Sequence, residues 1–299
     1  MADERAPSPP SPAARSRRGL LALGLLLAAI GVGVAYALTL SSFSDETSAH
    51  KTPFVVGDPA LTNGVALEGK SLAVDPAAET ATIRLSFAPK GPLVDPEDRL
   101  RHPLTLLAET ATGPVAKTFN EGEVMRPESV TLALTNGFVA NYPFDRYQAA
   151  LDVLITRSDT GQAVPSVLDV FAATHGFSFS LRREGSDKDG GHFVSINVRR
   201  SAATRFFSLF LIVTMWALTL GVLGVLVRVV LLGRLIQFPV FTFLAALLFA
   251  FPAVRNAQPN APPIGVRSDY LSFFWCEALV AVSLIALLGV WLARRRYDA

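Results

Sequence analysis

The sequence predicts a membrane protein with an N-terminal transmembrane helix, an all-β sandwich ectodomain and three C-terminal transmembrane helices. Three observations carry that expectation. The chain of 299 residues is 51% hydrophobic and only 17% charged, too apolar for an ordinary soluble protein. Its apolar residues are concentrated in one block near the N-terminus and three near the C-terminus. The polar stretch between them alternates with period two, the mark of strands that bury one face.

In chain order, residues 1–18 are rich in Pro, Ala and Ser without apolar periodicity and read as a disordered cytoplasmic tail. Gly19–Leu40 carries no charge, and as a helix it is roughly 33 Å long, enough to cross a hydrocarbon core. A signal peptide is the alternative, because Ala35-Tyr36-Ala37 mimics a cleavage site. The length of the run favours an uncleaved anchor.

Residues 41–205 form the expected ectodomain. Ile83, Leu85 and Phe87 alternate with Arg84 and Ser86, and Val130, Leu132 and Leu134 follow the same rule. Tyr147, Ala149, Leu151, Val153 and Ile155 share one face. So do Phe177, Phe179 and Leu181, and then Val194, Ile196 and Val198. Asn63-Gly64, Asn136-Gly137 and residues 185–191 supply turns. Segment 163–175 reads as a short helix or a loop. The sum is a sandwich of roughly seven to nine strands.

The remaining spans are expected at 206–227, 235–251 and 270–293, with Tyr270, Trp275 and Trp291 near the ends of the last one. Residues 252–269 form an outer loop stiffened by Pro252, Pro259, Pro262 and Pro263, and residues 294–299 form a cytoplasmic tail. Arg15, Arg17 and Arg18, Arg228 and Arg234, and Arg294–Arg296 fall on one side of the membrane under this topology. The positive-inside rule then puts both termini in the cytoplasm and residues 41–205 outside.

No catalytic set stands out. His50, His102, His175 and His192 fit no ligand spacing, and no phosphate loop or nucleophile elbow is present. Asp95, Glu97 and Asp98 read as an exposed turn rather than a cation site. The only cysteine, Cys276, falls in the last span, so the ectodomain has no disulfide. A net charge of +2 without a basic motif points away from nucleic acid. No enzyme activity, cofactor or metal is therefore expected.

Tyr142-Pro143-Phe144-Asp145 is the densest local signal. Pro143 fixes its own φ and pushes Tyr142 to an extended conformation. Asp145 is expected to cap an Asx-turn, while Tyr142 and Phe144 bury aromatic area and Tyr147 opens a strand. The outer loop either packs on this corner or is a solvated hairpin connection. Glu277 is the acidic residue within a span, about 10 Å along its helix. Arg255 and Arg267 are its candidate partners for an intramembrane ion pair; a snorkelling carboxylate and a proton or ion relay are the other readings. Arg199, Arg200 and Arg205 are expected to meet anionic lipid or acidic partners.

The corner resembles the Phe-Pro-Phe-Asp corner of pentameric ligand-gated (Cys-loop-type) receptors, which sits at the base of a β-sandwich against the membrane domain. Here Thr135 and Ala149 stand where many of those receptors carry flanking cysteines, and Asp145-Arg146-Tyr147 replaces their Asp-x-Gln. They also have four spans after the sandwich and no N-terminal anchor. Over most of its length the chain resembles a bacterial membrane-protein family catalogued as domain of unknown function 4436. The shared features are one span, a β-rich region with Tyr-Pro-Phe-Asp-x-Tyr, three C-terminal spans and the segment from Phe251 to Glu277. That resemblance implies topology and no activity. The expected function is interaction or assembly in the envelope, with the lipid bilayer, an envelope protein or a homo-oligomer as partner. The alternative is a ligand-responsive channel or transporter subunit.

Overall fold

The computed structural model describes residues 24, 26, 29–41, 44, 53–172, 174–186, 190–235 and 237–295. Among them, the strands are β1 (Phe54–Val56), β2 (Gly64–Asp75), β3 (Thr80–Lys90), β4 (Leu104–Thr110) and β5 (Gly113–Phe119). They continue as β6 (Glu128–Ala133), β7 (Arg146–Arg157), β8 (Ser166–Phe171), β9 (Phe177–Ser186) and β10 (His192–Arg200). One five-stranded sheet has the order β1-β8-β2-β3-β6 and the other β5-β4-β7-β10-β9. Neighbours pair antiparallel, except that β2 and β8 run parallel from Val65 opposite Ser166 to Lys70 opposite Phe171.

The period-two pattern explains why two sheets form and how they face. Leu85, Leu104, Leu151, Leu168 and Val194 are fully buried between them. Each such side chain contributes about 1.5–3 kcal/mol over leaving it in water. Phe87 of β3 and Phe119 of β5 meet across the sheets at 5.5 Å. His192 on β10 ties the sheets at the far end: its Nε2 lies 3.0 Å from the Ser166 carbonyl and 2.9 Å from Ser166 Oγ. A carbonyl can only accept, so Nε2 carries the proton.

The described strands number ten, against the expected seven to nine. Segment 163–175 contains β8 rather than a helix or loop. Val167, Leu168 and Val170 give it a near-continuous apolar run, because β8 is an inner strand pairing on both sides. Periodicity alone cannot tell such a run from a helix. β5 escaped for the opposite reason. It is an edge strand exposed along most of its length, with Pro114 and Lys117 in the positions that discourage edge pairing.

Three helices are long and apolar enough to cross a membrane: Ala202–Val230, Phe238–Asn256 and Asp269–Arg294. They are α2 (Ala202–Val230), α3 (Phe238–Asn256) and α4 (Phe274–Arg295), the last entered through a π-helical turn at Asp269–Phe273. The expected first span, 19–40, is described only in part. Its described portion is chiefly α1 (Ala29–Ser41), a shorter apolar helix, and residues 1–23, 25, 27 and 28 lie outside the described residues. Ser208, Met215, Thr219 and Val222 of α2 are buried, as are Cys276, Val280, Ser283 and Leu287 of α4. Their three-, four- and seven-residue spacing is that of a helix–helix seam, and small side chains let the backbones approach. Phe241 of α3 packs edge-on against Trp291 of α4. Pro252, expected in the outer loop, lies inside α3 instead. The loop proper begins after Asn256 and keeps Pro259, Pro262 and Pro263.

Candidate functional site

The polar groups that join the sandwich to the helices converge on the Tyr142–Tyr147 corner. β7 and β10 pair with Arg146 opposite Arg199. Side chains alternate across a strand, so Arg146 and Arg199 point out while their neighbours Asp145 and Arg200 point in. Asp145 and Arg200 are buried at 2% exposure each. Arg200 Nε donates to Asp145 Oδ2 at 3.0 Å and Oδ1 at 3.2 Å, and Tyr147 Oη donates to Oδ2 at 2.8 Å. The Arg200 guanidinium lies between the Tyr142 ring at 4.9 Å and the Phe177 ring at 4.6 Å. Burial and the hydrogen bond to the Asp145 carboxylate both push the Tyr147 phenol well above its usual value.

Tyr142 links this pair to the helices. A 3-10 turn at Val139–Asn141 leads into it, and the Tyr142–Pro143 peptide is cis. Its hydroxyl donates to the Pro259 carbonyl at 2.9 Å and lies 2.6 Å from Ser208 Oγ. The phenol has one proton and gives it to the carbonyl, so the Ser208 hydroxyl donates to the phenol oxygen. Burial pushes the Tyr142 phenol up, which keeps that donor in place. One side chain of the sandwich thus holds both α2 and the α3–α4 loop.

Two further contacts close the junction. Asn260 Nδ2 donates to the His175 carbonyl at 3.2 Å. The neighbouring Gly176 has φ +82, and a Cβ there would run into Asn260 Nδ2. The Gly176 carbonyl accepts from Ser201 N at 2.9 Å and Thr204 Oγ1 at 3.1 Å, and Ser201 Oγ caps α2 by accepting from Thr204 N. β9, β10, α2 and the loop therefore meet through these paired groups, while Arg200 Nη1 and Arg205 Nε are buried without a hydrogen-bond partner among the described residues.

Of the expected site residues, Tyr142, Asp145 and Tyr147 come together here, and Phe144 does not. Phe144 is 48% exposed, because it falls out of phase with the buried Asp145 and Tyr147 that lead into β7. Asp145 does not cap an Asx-turn as expected; its carboxylate turns inward to the arginine, a charged donor that a backbone N–H does not match. Arg200, grouped with the surface cations on sequence, is internal.

The expected pairing of Glu277 with Arg255 or Arg267 is corrected as well. Arg255 is bidentate to Asp269, with Nε at 2.9 Å from Oδ1 and Nη2 at 2.8 Å from Oδ2. Nη2 also donates to the Pro263 carbonyl at 2.7 Å, and Gly265 N donates to Asp269 Oδ2 at 2.9 Å. The pair is buried and closes the α3–α4 loop on itself. Glu277 lies about 12 Å further along its helix than Asp269, which is why Arg255 meets the nearer carboxylate. Glu277 Oε2 is buried with no hydrogen-bond partner among the described residues. Arg267 is exposed and forms no ion pair among them.

Asp95 Oδ1 accepts from Glu97 N and Arg99 N, the geometry of a turn. No group of three His, Cys, Asp or Glu side chains that could hold a metal lies among the described residues.

Residues 55–199 match a family model described as Domain of unknown function (DUF4436). Residues 200–294 match a second one, described as Domain of unknown function (DUF8686). The border between the two matches falls at the end of β10, between outward Arg199 and inward Arg200. No curated protein matches the chain.

Proposed function

We propose that this chain is a non-enzymatic assembly protein of a bacterial plasma membrane, whose sandwich is held at a fixed attitude over its helices to organise envelope proteins or fellow subunits. The observation that carries the reading is the Tyr142 hydroxyl, bonded at once to Ser208 of α2 and Pro259 of the loop. A sandwich serving as a free module on a tether has no use for such a clamp. In this reading Tyr142–Tyr147 is a structural coupling corner. Residues 41–205 lie outside and residues 1–18 and 294–299 lie in the cytoplasm. Arg294 donates to the Arg234 and Val229 carbonyls at the end of the bundle away from the sandwich, which gathers positive charge where a cytoplasmic face needs it. Crosslinking and mass spectrometry of the native complex test the proposal. A distinct envelope protein or a second copy crosslinked through the sandwich is the expected result. Recovery of the chain solely as an uncrosslinked monomer would sink it.

One observation favours the second reading, a ligand-responsive channel or transporter subunit: the unpartnered carboxylate oxygen of Glu277 in a membrane-crossing helix. Against it, Thr219, Ser272 and Ser283 of the α2–α4 seam donate back to carbonyls of their own helices, as packing residues do. Ion flux into proteoliposomes that Glu277→Gln abolishes would put this reading first.

A further inference from the structure

The inward pair at the end of β7 and β10 leaves an outward pair behind. Arg146 and Arg199 stand directly opposite one another in the antiparallel ladder, and both are exposed. Like charges in that register repel, whereas an opposite-charge pair there would stabilise the sheet. Here neither arginine forms an ion pair among the described residues. A local rule broken without compensation is where function is expected.

The next row on the same face is polar and lacks acid. Gln148 lies opposite Asn197, which lies opposite Ser180 on β9. Asn136 Nδ2 donates to Gln148 Oε1 at 2.7 Å, and Gln148 Nε2 donates to Asn197 Oδ1 at 3.3 Å. This chain consumes the amide acceptors and leaves the Asn197 N–H groups facing out. The result is a shallow groove of 460 Å³ with no carboxylate in its lining. Two guanidiniums, an amide N–H and a hydroxyl make it a donor surface, and its complement is an anion with several oxygens.

Its position narrows the source. Arg199 precedes Ala202, the first residue of α2, by three residues, a span of about 10 Å at most. Exposed Phe207 and Phe210 mark the start of the apolar surface of α2. The headgroup layer extends roughly 5–8 Å beyond the hydrocarbon edge, and an arginine side chain can reach down toward it. We infer that Arg146 and Arg199 form a binding site for the phosphate of an anionic phospholipid in the leaflet beneath the sandwich. The inference rests on α2 crossing the membrane, and it holds for an assembly protein and for a channel alike.

The test uses the full chain in detergent, titrated with short-chain phosphatidylglycerol, phosphatidylcholine and inorganic phosphate, with native mass spectrometry as the readout. Phosphatidylglycerol should bind in preference to both others. Arg146→Gln and Arg199→Gln should each weaken it about fivefold and the double variant roughly 25-fold, from the usual worth of one cation near an anionic surface. Arg182→Gln, further along the same face, should leave it unchanged. The double variant should melt at or above the wild-type temperature, because a repulsive pair has been removed. Unchanged phosphatidylglycerol binding in the double variant would overturn the site. Inorganic phosphate competing at phosphatidylglycerol's own concentration would overturn the lipid assignment and leave a free-anion site. A lower melting temperature would assign the two arginines to the fold and overturn the proposal as well.

Discussion

Replacing Asp145 with Asn tests whether the corner is held by charge or merely by shape. Asn keeps the volume and one acceptor, so Tyr147 and Arg200 can each still find an oxygen. What it removes is the negative charge that balances a guanidinium whose side chain is 2% exposed. Breaking one side of a buried ion pair costs about 3–5 kcal/mol, because the other charge stays behind unpaired. The Tyr142 and Phe177 rings remain beside Arg200 before and after, so their cation–π attraction offsets none of the loss. Arg200 Nη1 has no hydrogen-bond partner among the described residues to begin with, which leaves no spare contact to strengthen. For a domain of this size each kcal/mol moves the midpoint by about 2–4 °C, so a drop of roughly 6–20 °C is expected. The assay is thermal unfolding of the full chain in detergent, followed by near-ultraviolet circular dichroism. A double variant, Asp145→Leu with Arg200→Met, should melt above the single Asp145→Asn variant, since an apolar pair leaves no buried charge. A shift under about 2 °C for Asp145→Asn would refute the reasoning, because that is the scale of an exposed pair.

Tyr142→Phe should cost about 0.5–1.5 kcal/mol by removing the donor to the half-buried Pro259 carbonyl, and hydrogen exchange should quicken across residues 257–268 while β7 and β10 stay protected. Arg255→Gln should destabilise the α3–α4 loop by about 3–5 kcal/mol, whereas Glu277→Gln should leave it intact; limited proteolysis of the loop separates the two. Burial holds the His192 imidazole below its usual value, so the unfolded chain binds more protons between that lowered value and about pH 6.5. Stability is then complete above about pH 6.5 and falls as the pH drops toward the lowered value. His192→Asn should flatten that slope in thermal melts taken between about pH 5 and 7.5.

Much of this was legible in the residues. The alternating runs through Ile83, Val130, Leu151 and Val194 identified the core faces, and all four side chains are buried. The limit of that legibility is instructive at Arg200. The run Val194, Ile196, Val198 has Arg200 as its next in-phase member, and the run Tyr147 to Ile155 has Asp145 as its preceding one. Extending both alternations by one step puts a cation and an anion on the core face at adjacent strand ends. That signal was present in the sequence, masked by the surrounding basic residues Arg199 and Arg205. Asp269 was hidden differently. It stood at the edge of a proline-rich loop, and only the three-dimensional turn from Pro263 to Asp269 brings it back onto Arg255. β8 and β5 were unreadable because one has too much burial and the other too little for an alternation to show.

The two buried ion pairs lie on one path. Asp145 holds Arg200, Arg200 stacks on the Tyr142 ring, and the Tyr142 hydroxyl holds the Pro259 carbonyl. Pro259 belongs to the loop that Arg255 and Asp269 close. Apolar packing between a sheet end and helix ends is compatible with many rotations of one body on the other, since dispersion has no preferred direction. Hydrogen bonds to one carbonyl and one hydroxyl are compatible with very few. The clamp therefore specifies orientation more than it adds stability, the role best attested for buried polar groups. Apolar replacement of a whole pair should then keep the melting temperature while widening the angular spread of the sandwich over the helices. Disulfide trapping between the sandwich and the loop can measure that spread. The same logic explains the outward pair: once Asp145 and Arg200 are fixed inward by register, Arg146 and Arg199 are fixed outward at the level where the chain enters α2.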